Sequence, residues 1–240
     1  DPGTLLGEMQ VMSDIHINPS DDHLHNKHFA QALADIRTIS PNSMGIFVNG
    51  DVADHGQVAE YEAFNRLIAQ AGAGLPPVLC AIGNHDFDGG LDAKGQIRRF
   101  LKGTGNSSET IWFDTWISGY HFVFLGGEAA GLHADLSNAQ LAWLEETLAK
   151  DRVEGRPTFL FLHQGLMDTV AGTFQYQNWH GVKQSAQLRQ RRRKVFVLQS
   201  AGSSLFRLVH LKNKFLPGLA PVNGGAQLLQ QRDLAALSAL

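Results

Sequence analysis

The sequence predicts an α/β protein organised around a parallel sheet. Up to Ile82, apolar runs alternate with amphipathic stretches of helical period, in the order strand–helix–strand–helix–strand. That order predicts parallel strands with helices on both faces. Four apolar runs also end in the same kinds of residue: Met9–Met12 leads into Ser13-Asp14-Ile15-His16, Gly45–Val48 into Asn49-Gly50-Asp51, Pro77–Ile82 into Gly83-Asn84-His85-Asp86, and Thr158–Leu162 into His163. Open α/β sheets bind ligands at the carboxyl ends of their strands. Finally, 240 residues suffice for one sizeable domain with a substantial core.

The elements follow in order. Residues 1–7 read as a lead-in and Glu8–Ser13 as the first strand, followed by a polar loop, Asp14–Asp22. A helix is expected from about His23 to Ile39, with Phe29, Leu33 and Ile36 at core spacing. His23, His25 and His28 near its start suggest an exposed polar face rather than a metal cluster. Pro41-Asn42-Ser43 is a turn, and Met44–Asn49 the second strand. In the helix Gln57–Ala71, Tyr61, Phe64, Leu67 and Ile68 share one face, which reads as core. Pro77–Ile82 is the third strand. After the loop Asp88-Gly89-Gly90, a short helix runs to about Lys102. Thr110–Ile117 and Tyr120–Leu125 around Ser118-Gly119 form a hairpin. Ser137 caps a helix that continues through Trp143 and Leu148. Pro157–His163 is a strand, Gly165–Gly181 a long loop, Val182–Lys194 a basic helix and Val195–Leu198 a last clear strand. From Gln199 the pattern reads as loop, then as a short apolar helix from Ala226 to Leu240.

Composition is that of an ordinary globular protein, with 43% hydrophobic and 18% charged residues. The single cysteine, Cys80, has no internal partner and reads as a buried structural thiol, giving no sign of an oxidising compartment. No apolar run reaches the length of a membrane span, and no signal peptide is visible. A cytoplasmic location is expected, with a secreted form left open because the chain begins at Asp1 rather than Met. The net charge of −3 conceals a split. Residues 1–180 carry 10 Lys/Arg against 22 Asp/Glu, whereas residues 181–240 carry 10 against the lone Asp233. Such asymmetry signals a change of partner or of domain. The Arg191-Arg192-Arg193-Lys194 cluster reads as a solvated helix end, because no interleaved aromatics support a nucleic-acid face.

The strand-end residues carry the chemistry. Asp14 and His16 lie two positions apart, so extended backbone would point both to the same side. Gly50 permits the tight turn that brings the Asp51 carboxylate back over the sheet. Asn84 offers a neutral oxygen, and His16 and His163 offer imidazole nitrogens. A mixed O/N set suits Mn, Fe or Zn better than Ca or Mg. Two such ions about 3.5–4 Å apart can clamp both oxygens of a phosphoryl displacement. His85 is free to act as an acid or to contact the phosphate.

This constellation resembles the calcineurin-like metallophosphoesterase superfamily. Ser13-Asp14-Ile15-His16, Gly50-Asp51-Val52-Ala53-Asp54, Gly83-Asn84-His85-Asp86 and Leu162-His163-Gln164-Gly165 match the first four of its five motifs in order and spacing, over about residues 8–200. The resemblance implies a metallophosphoesterase-type β-sandwich with mixed sheets flanked by helices. It implies one metal held by Asp14, His16 and Asp51 and a second by Asp51, Asn84 and His163. His85 becomes the catalytic histidine, oriented by Asp54 or Asp86, and a metal-bound hydroxide the nucleophile. Tyr61-Glu62-Ala63-Phe64 and Leu136–Leu144 look like the branch containing class III cyclic-nucleotide phosphodiesterases. The implied partner is a small-molecule phosphate ester, a phosphodiester or phosphomonoester, with cyclic nucleotides as one option. Phe174, Tyr176 and Trp179 of the long loop are the candidate wall for a base or aromatic group, or else cover the sheet edge.

One motif is missing. The family's final Gly-His-X-His should follow Val195–Leu198, where Gln199-Ser200-Ala201-Gly202-Ser203-Ser204 stands instead. The charge shift begins in the same region. An altered reading frame or replaced tail from near Arg189 accounts for both better than divergence with His180 or His210 as substitutes. The expected division is therefore a metallophosphoesterase domain over 1–198 and an atypical basic segment over 199–240. Two metal ions are expected, or one if the lost histidines leave a site incomplete. The rival readings are a metal-depleted inactive homologue and, below it, a binding module using the basic tail.

Overall fold

The computed structural model describes residues 5–150, 156–167, 169, 181–190, 195–198, 205–212 and 228–229. Two sheets carry the architecture. The first has the order β3-β2-β1-β8-β9, built from β1 (Leu5–Ser13), β2 (Ile46–Asn49), β3 (Val78–Ala81), β8 (Leu205–Lys212) and β9 (Leu228–Leu229). The second has the order β4-β5-β6-β7, from β4 (Phe113–Ile117), β5 (Tyr120–Phe124), β6 (Thr158–Phe161) and β7 (Val195–Leu198). Both are mixed. β1, β2 and β3 run parallel, and β8 runs antiparallel to β1. β4 and β5 form the antiparallel hairpin, while β5, β6 and β7 run parallel.

Alternation along the strands sorts residues into three apolar layers. Ile46 and Val48 face α1 (Leu24–Ile39), α2 (Val58–Ala71) and α3 (Ala93–Gly103), packing with Phe29, Leu33, Phe64 and Phe100. Phe47 points the other way, into a layer between the sheets with Met9, Phe122, Phe124, Phe159 and Phe161. Leu160 and Val123 face α4 (Asn138–Lys150) and α5 (Ser185–Gln190). Helices therefore flank the two outer faces of a sandwich. Helices on both faces of the N-terminal sheet, the simplest reading of the alternating order, do not occur among the described residues. α1, α2 and α3 all pack on one face, and the second sheet covers the other. A flat aromatic surface on each sheet makes that packing favourable. The Phe47 ring stacks 4.7 Å from Phe122 and 4.8 Å from Phe161.

The C-terminal part differs from the sequence reading. Leu205–Lys212 falls where a loop is expected, yet it forms a strand pairing with β1 from Leu5↔Lys212 to Ser13↔Leu205. The free edge of β1 offers a row of backbone donors and acceptors that the flanking Gly-rich composition does not reveal. β9 lies within the expected terminal helix, of which the other residues lie outside the described ones. The basic helix starts at Ser185 rather than Val182 and is described to Gln190, and Arg191–Lys194 lie outside the described residues. Cys80 is buried, and burial raises its thiol pKa, in keeping with a structural role. Among the described residues no helix is long and apolar enough to cross a membrane.

Register positions the strand ends. Met12 pairs with Val48 and Val48 with Cys80, so β1, β2 and β3 finish along one edge. Phe47→Ala should cost about 3–5 kcal/mol, the usual range for truncating a fully buried aromatic. Urea unfolding checks this; a loss below about 1 kcal/mol would show that the inter-sheet layer is not tightly packed.

Candidate metal centre

The ends of β1 and β2 are zipped together by main-chain hydrogen bonds. Asp14 N donates to Gly50 O at 3.1 Å, His16 N to Asp51 O at 3.1 Å and Ile17 N to Val52 O at 2.9 Å. The second sheet is tied in through Asn49. Its Nδ2 donates to Leu162 O at 3.2 Å, and its carbonyl accepts from His163 Nδ1 at 2.8 Å. That bond places the ring proton on Nδ1 and turns His163 Nε2 inward. The Nε2 atom lies 3.3 Å from Asp51 Oδ2 and 3.2 Å from Asn84 Oδ1.

Backbone conformation brings the donors together. Asp14, His16 and Asp51 have φ of 56°, 42° and 51°, and the only other described non-glycine residue with positive φ is Ser118 in the β4–β5 turn. Left-handed backbone is unfavourable for such residues, and clusters of it mark functional sites. Asp14 and His16 thus converge by turning out of the strand, not by the two-residue alternation that their spacing suggests. Glycine is required beside them. A Cβ on Gly83 would lie 2.2 Å from Asp51 Oδ1, and one on Gly50, at φ 87°, would lie 2.4 Å from the His163 ring.

Asp51 is the hub. Its Oδ1 accepts from His85 N at 2.9 Å, and its Oδ2 lies 3.8 Å from His16 Nε2. Two groups with donor atoms within 4.8 Å of one another share it: Asp14, Asp51 and His163, and His16, Asp51 and His85. Asp14, Asp51 and His163 are 8%, 3% and 5% exposed, so their polar atoms need partners other than bulk water. His16 Nδ1 is buried without a hydrogen bond, although Asp54 Oδ1 lies 3.3 Å away. Carboxylates, imidazoles and an amide oxygen at this spacing fit a divalent cation with mixed O/N preference.

The electrostatics agree with that fit. Burial opposes charge on His163, but the carboxylates of Asp51 and Asp14 and its hydrogen bonds overcome it and hold the ring at about 9. Burial also pushes the Asp51 carboxyl up, and His163 and His85 more than reverse the effect, leaving it below the usual carboxylate range. Burial lowers His16 despite the nearby carboxylates. Without a cation, a proton on His163 balances the negative charge.

His85 is seated differently. It begins a single 3-10 turn, His85–Phe87, and its Nδ1 donates to the main-chain carbonyl of Asp54 at 2.8 Å. Burial opposes its charge, but this bond and the Asp51, Asp88 and Asp54 carboxylates raise its pKa. The sequence suggests orientation by the side chain of Asp54 or Asp86, whereas the contact comes from an Asp54 backbone oxygen, which no sequence pattern reveals. Asp86 is buried beneath the site. Burial and the Asp51 charge raise its carboxyl to about 7, against hydrogen bonds from Gly83, Ala53 and Tyr61. Of the histidines read as an exposed face, His25 turns inward, with Nδ1 3.3 Å from His16 O. A third group, Asp54, His55 and Glu60, is built around the start of α2, where Glu60 Oε2 accepts from His55 N and Gln57 N. His180, Phe174, Tyr176, Trp179 and the stretch 199–204 that replaces Gly-His-X-His lie outside the described residues, as does the side chain of His210.

A family model described as calcineurin-like phosphoesterase matches residues 11–197. A dimetal phosphatase from Danio rerio superposes with a TM-score of 0.60 at 13% identity, covering 87% of this chain and 94% of that one. Purple acid phosphatase PPD1 from yellow lupin (Lupinus luteus) seeds superposes with a TM-score of 0.55 at 16% identity. That match covers 75% of this chain but spans only 34% of the lupin protein. At these identities the likeness is one of fold. Comparison with the curated proteins gives no match.

Gly83→Ala tests the close approach of the β3 turn to Asp51. The added methyl should cost about 1–3 kcal/mol, typical of overpacking, in chemical denaturation. Unchanged stability would mean that the turn has room to spare.

Proposed function

The chain belongs to the calcineurin-like phosphoesterase family, and we propose that its strand-end cluster is the catalytic centre of a small-molecule phosphoesterase. The family assigns metal-dependent phosphoester hydrolysis in general. The observation that carries the assignment to these residues is the convergence of Asp14, His16 and His163 on the buried Asp51 carboxylate, with Asn84 Oδ1 3.2 Å from His163 Nε2 and left-handed backbone at three of the five. In this reading Asp14, His16 and Asp51 hold one metal ion and Asp51, Asn84 and His163 a second, Mn, Fe or Zn being the suitable elements. When bound, such ions polarise a phosphoryl oxygen and acidify a coordinated water.

The chain's own residues supply the rest. His163 is held in its tautomer by Asn49 O, so its Nε2 is the atom presented to the site. His85 is anchored through Nδ1 at Asp54 O, which leaves Nε2 as the nitrogen able to give a proton to the leaving oxygen. In the metal-free chain burial opposes its charge, but that bond and the Asp51, Asp88 and Asp54 carboxylates raise its pKa. The substrate class is a phosphodiester or phosphomonoester, and the likeness of Tyr61–Phe64 and Leu136–Leu144 to the class III branch makes cyclic nucleotides one candidate. Residues 1–198 carry the catalytic site in this reading, while the segment 199–240, atypical in sequence, contributes the strand Leu205–Lys212 beside β1.

A second reading rests on Gln199–Ser204 standing where a histidine pair is expected. The chain would then keep the fold, bind at most one metal and hydrolyse little. Elemental analysis separates the two: about two metals per chain removes the second reading.

The leading reading is tested with Mn²⁺ and generic mono- and diester substrates. Hydrolysis should appear with Mn²⁺ and vanish with a chelator. Asp51→Ala should lower it at least about 100-fold, several kcal/mol of charge stabilisation being at stake. His85→Ala should lower kcat by about 10²–10⁴ while leaving metal content intact. An intact protein that takes up no metal and hydrolyses neither ester would falsify the proposal.

A further inference from the structure

Asp86 occupies a position that the proposed chemistry does not use directly. Its carboxylate is fully buried. Oδ2 accepts from Gly83 N at 2.9 Å and from Val52 N at 3.4 Å, and Oδ1 accepts from Ala53 N at 3.1 Å and from the Tyr61 hydroxyl at 2.9 Å. A carboxylate has about four acceptor sites, and these bonds occupy all of them. The three amides belong to two separate turns. Val52 and Ala53 immediately follow Asp51, and Gly83 immediately precedes Asn84. One buried carboxylate therefore joins the turns that present Asp51 and Asn84.

Tyr61 supplies the fourth bond from a third element, α2. Its ring is packed with 2% exposure, 6.3 Å from Phe100, and so close to Gly103 that a Cβ there would come within 2.4 Å of it. The ring belongs to the helical core, but the hydroxyl does not serve packing. It is the side-chain donor that fixes the Asp86 carboxyl group against the helix layer. No such fixing contact is available from the amides alone, because they move with the turns they belong to.

We propose that Tyr61 is a positioning residue for metal binding: through Asp86, its hydroxyl holds the Asp51 and Asn84 turns at the spacing the metal ions require. This inference rests on the reading of Asp51 and Asn84 as metal-binding residues. It gives the aromatic stripe of α2 a second task besides burial. Tyr61→Phe keeps the ring and removes only the oxygen, so the core stays filled while Asp86 loses one donor in a place closed to water.

The experiment is a Mn²⁺ titration of the metal-free full chain, followed by the EPR signal of free Mn²⁺, with circular dichroism confirming equal folding. Tyr61→Phe should weaken Mn²⁺ binding about tenfold, the lower end of what outer contacts of metal ligands contribute. Tyr120→Phe, which removes a phenol oxygen in the inter-sheet layer, should leave affinity unchanged. In an Asp86→Asn background, removal of the Tyr61 hydroxyl should add nothing further, since the path through Asp86 is already broken. If Asp86→Asn does not fold, the comparison of the two single Tyr variants decides. Wild-type affinity in Tyr61→Phe, or fully additive losses in the double variant, overturns the inference alone. A wild-type chain that binds no Mn²⁺ overturns the metal reading and this inference with it.

Discussion

Burial of the Asp51 carboxylate is the constraint from which the rest of the site follows. A charged group so far from water is costly unless it is paired and hydrogen-bonded. Asp51 meets that requirement with His163 from the second sheet and the amide of His85 from the β3 turn. Its main chain is left-handed, and both neighbouring turns need glycine for steric reasons. Gly83 is thus a consequence of where one carboxylate sits, and Gly50 of where the His163 ring packs against it.

That position also couples the two halves of the sandwich. The aromatic layer around Phe47, Phe122 and Phe161 fixes how the sheets face each other. Asn49, at the end of β2, then bonds both to Leu162 O and to His163 Nδ1. An imidazole from residue 163 meets a carboxylate from residue 51 only because an apolar interface holds their strands in place. The local strain at Asp14, His16 and Asp51 persists for the same reason, as the surrounding packing overrides the preference of each residue. Negative charge concentrated within this frame is what makes a cation, or a proton on His163, the natural complement.

Much of this was legible in the sequence, and the reason is geometric. Parallel strands in register end along one edge, so Asp14, His16, Asp51 and Asn84 can be read as neighbours from the runs that precede them. The core positions Phe29, Leu33, Phe64 and Leu67 follow from helical spacing and are buried. Other features carry no local signature. The partner of His85 is a backbone carbonyl, Asp54 O, and a main-chain atom looks the same in every sequence. His25 reads as one of three surface histidines, yet its ring turns in beside His16 because of where α1 starts. Leu205–Lys212 lies among loop-forming residues but finds the open edge of β1.

The sequence by itself determined the kinds of donor available, their order and the strand ends that carry them, because motif spacing and hydrophobic period are local properties. Tertiary structure decided how those donors meet. Left-handed turns, not strand alternation, aim Asp14 and His16. A second sheet, not a helix, covers the inner face and delivers His163. The Tyr61 ring is a core residue by every sequence criterion, and only the folded chain shows its hydroxyl bonded to Asp86 beneath the site. Each is a contact between segments distant in sequence, set by packing and hydrogen-bond satisfaction across the whole domain.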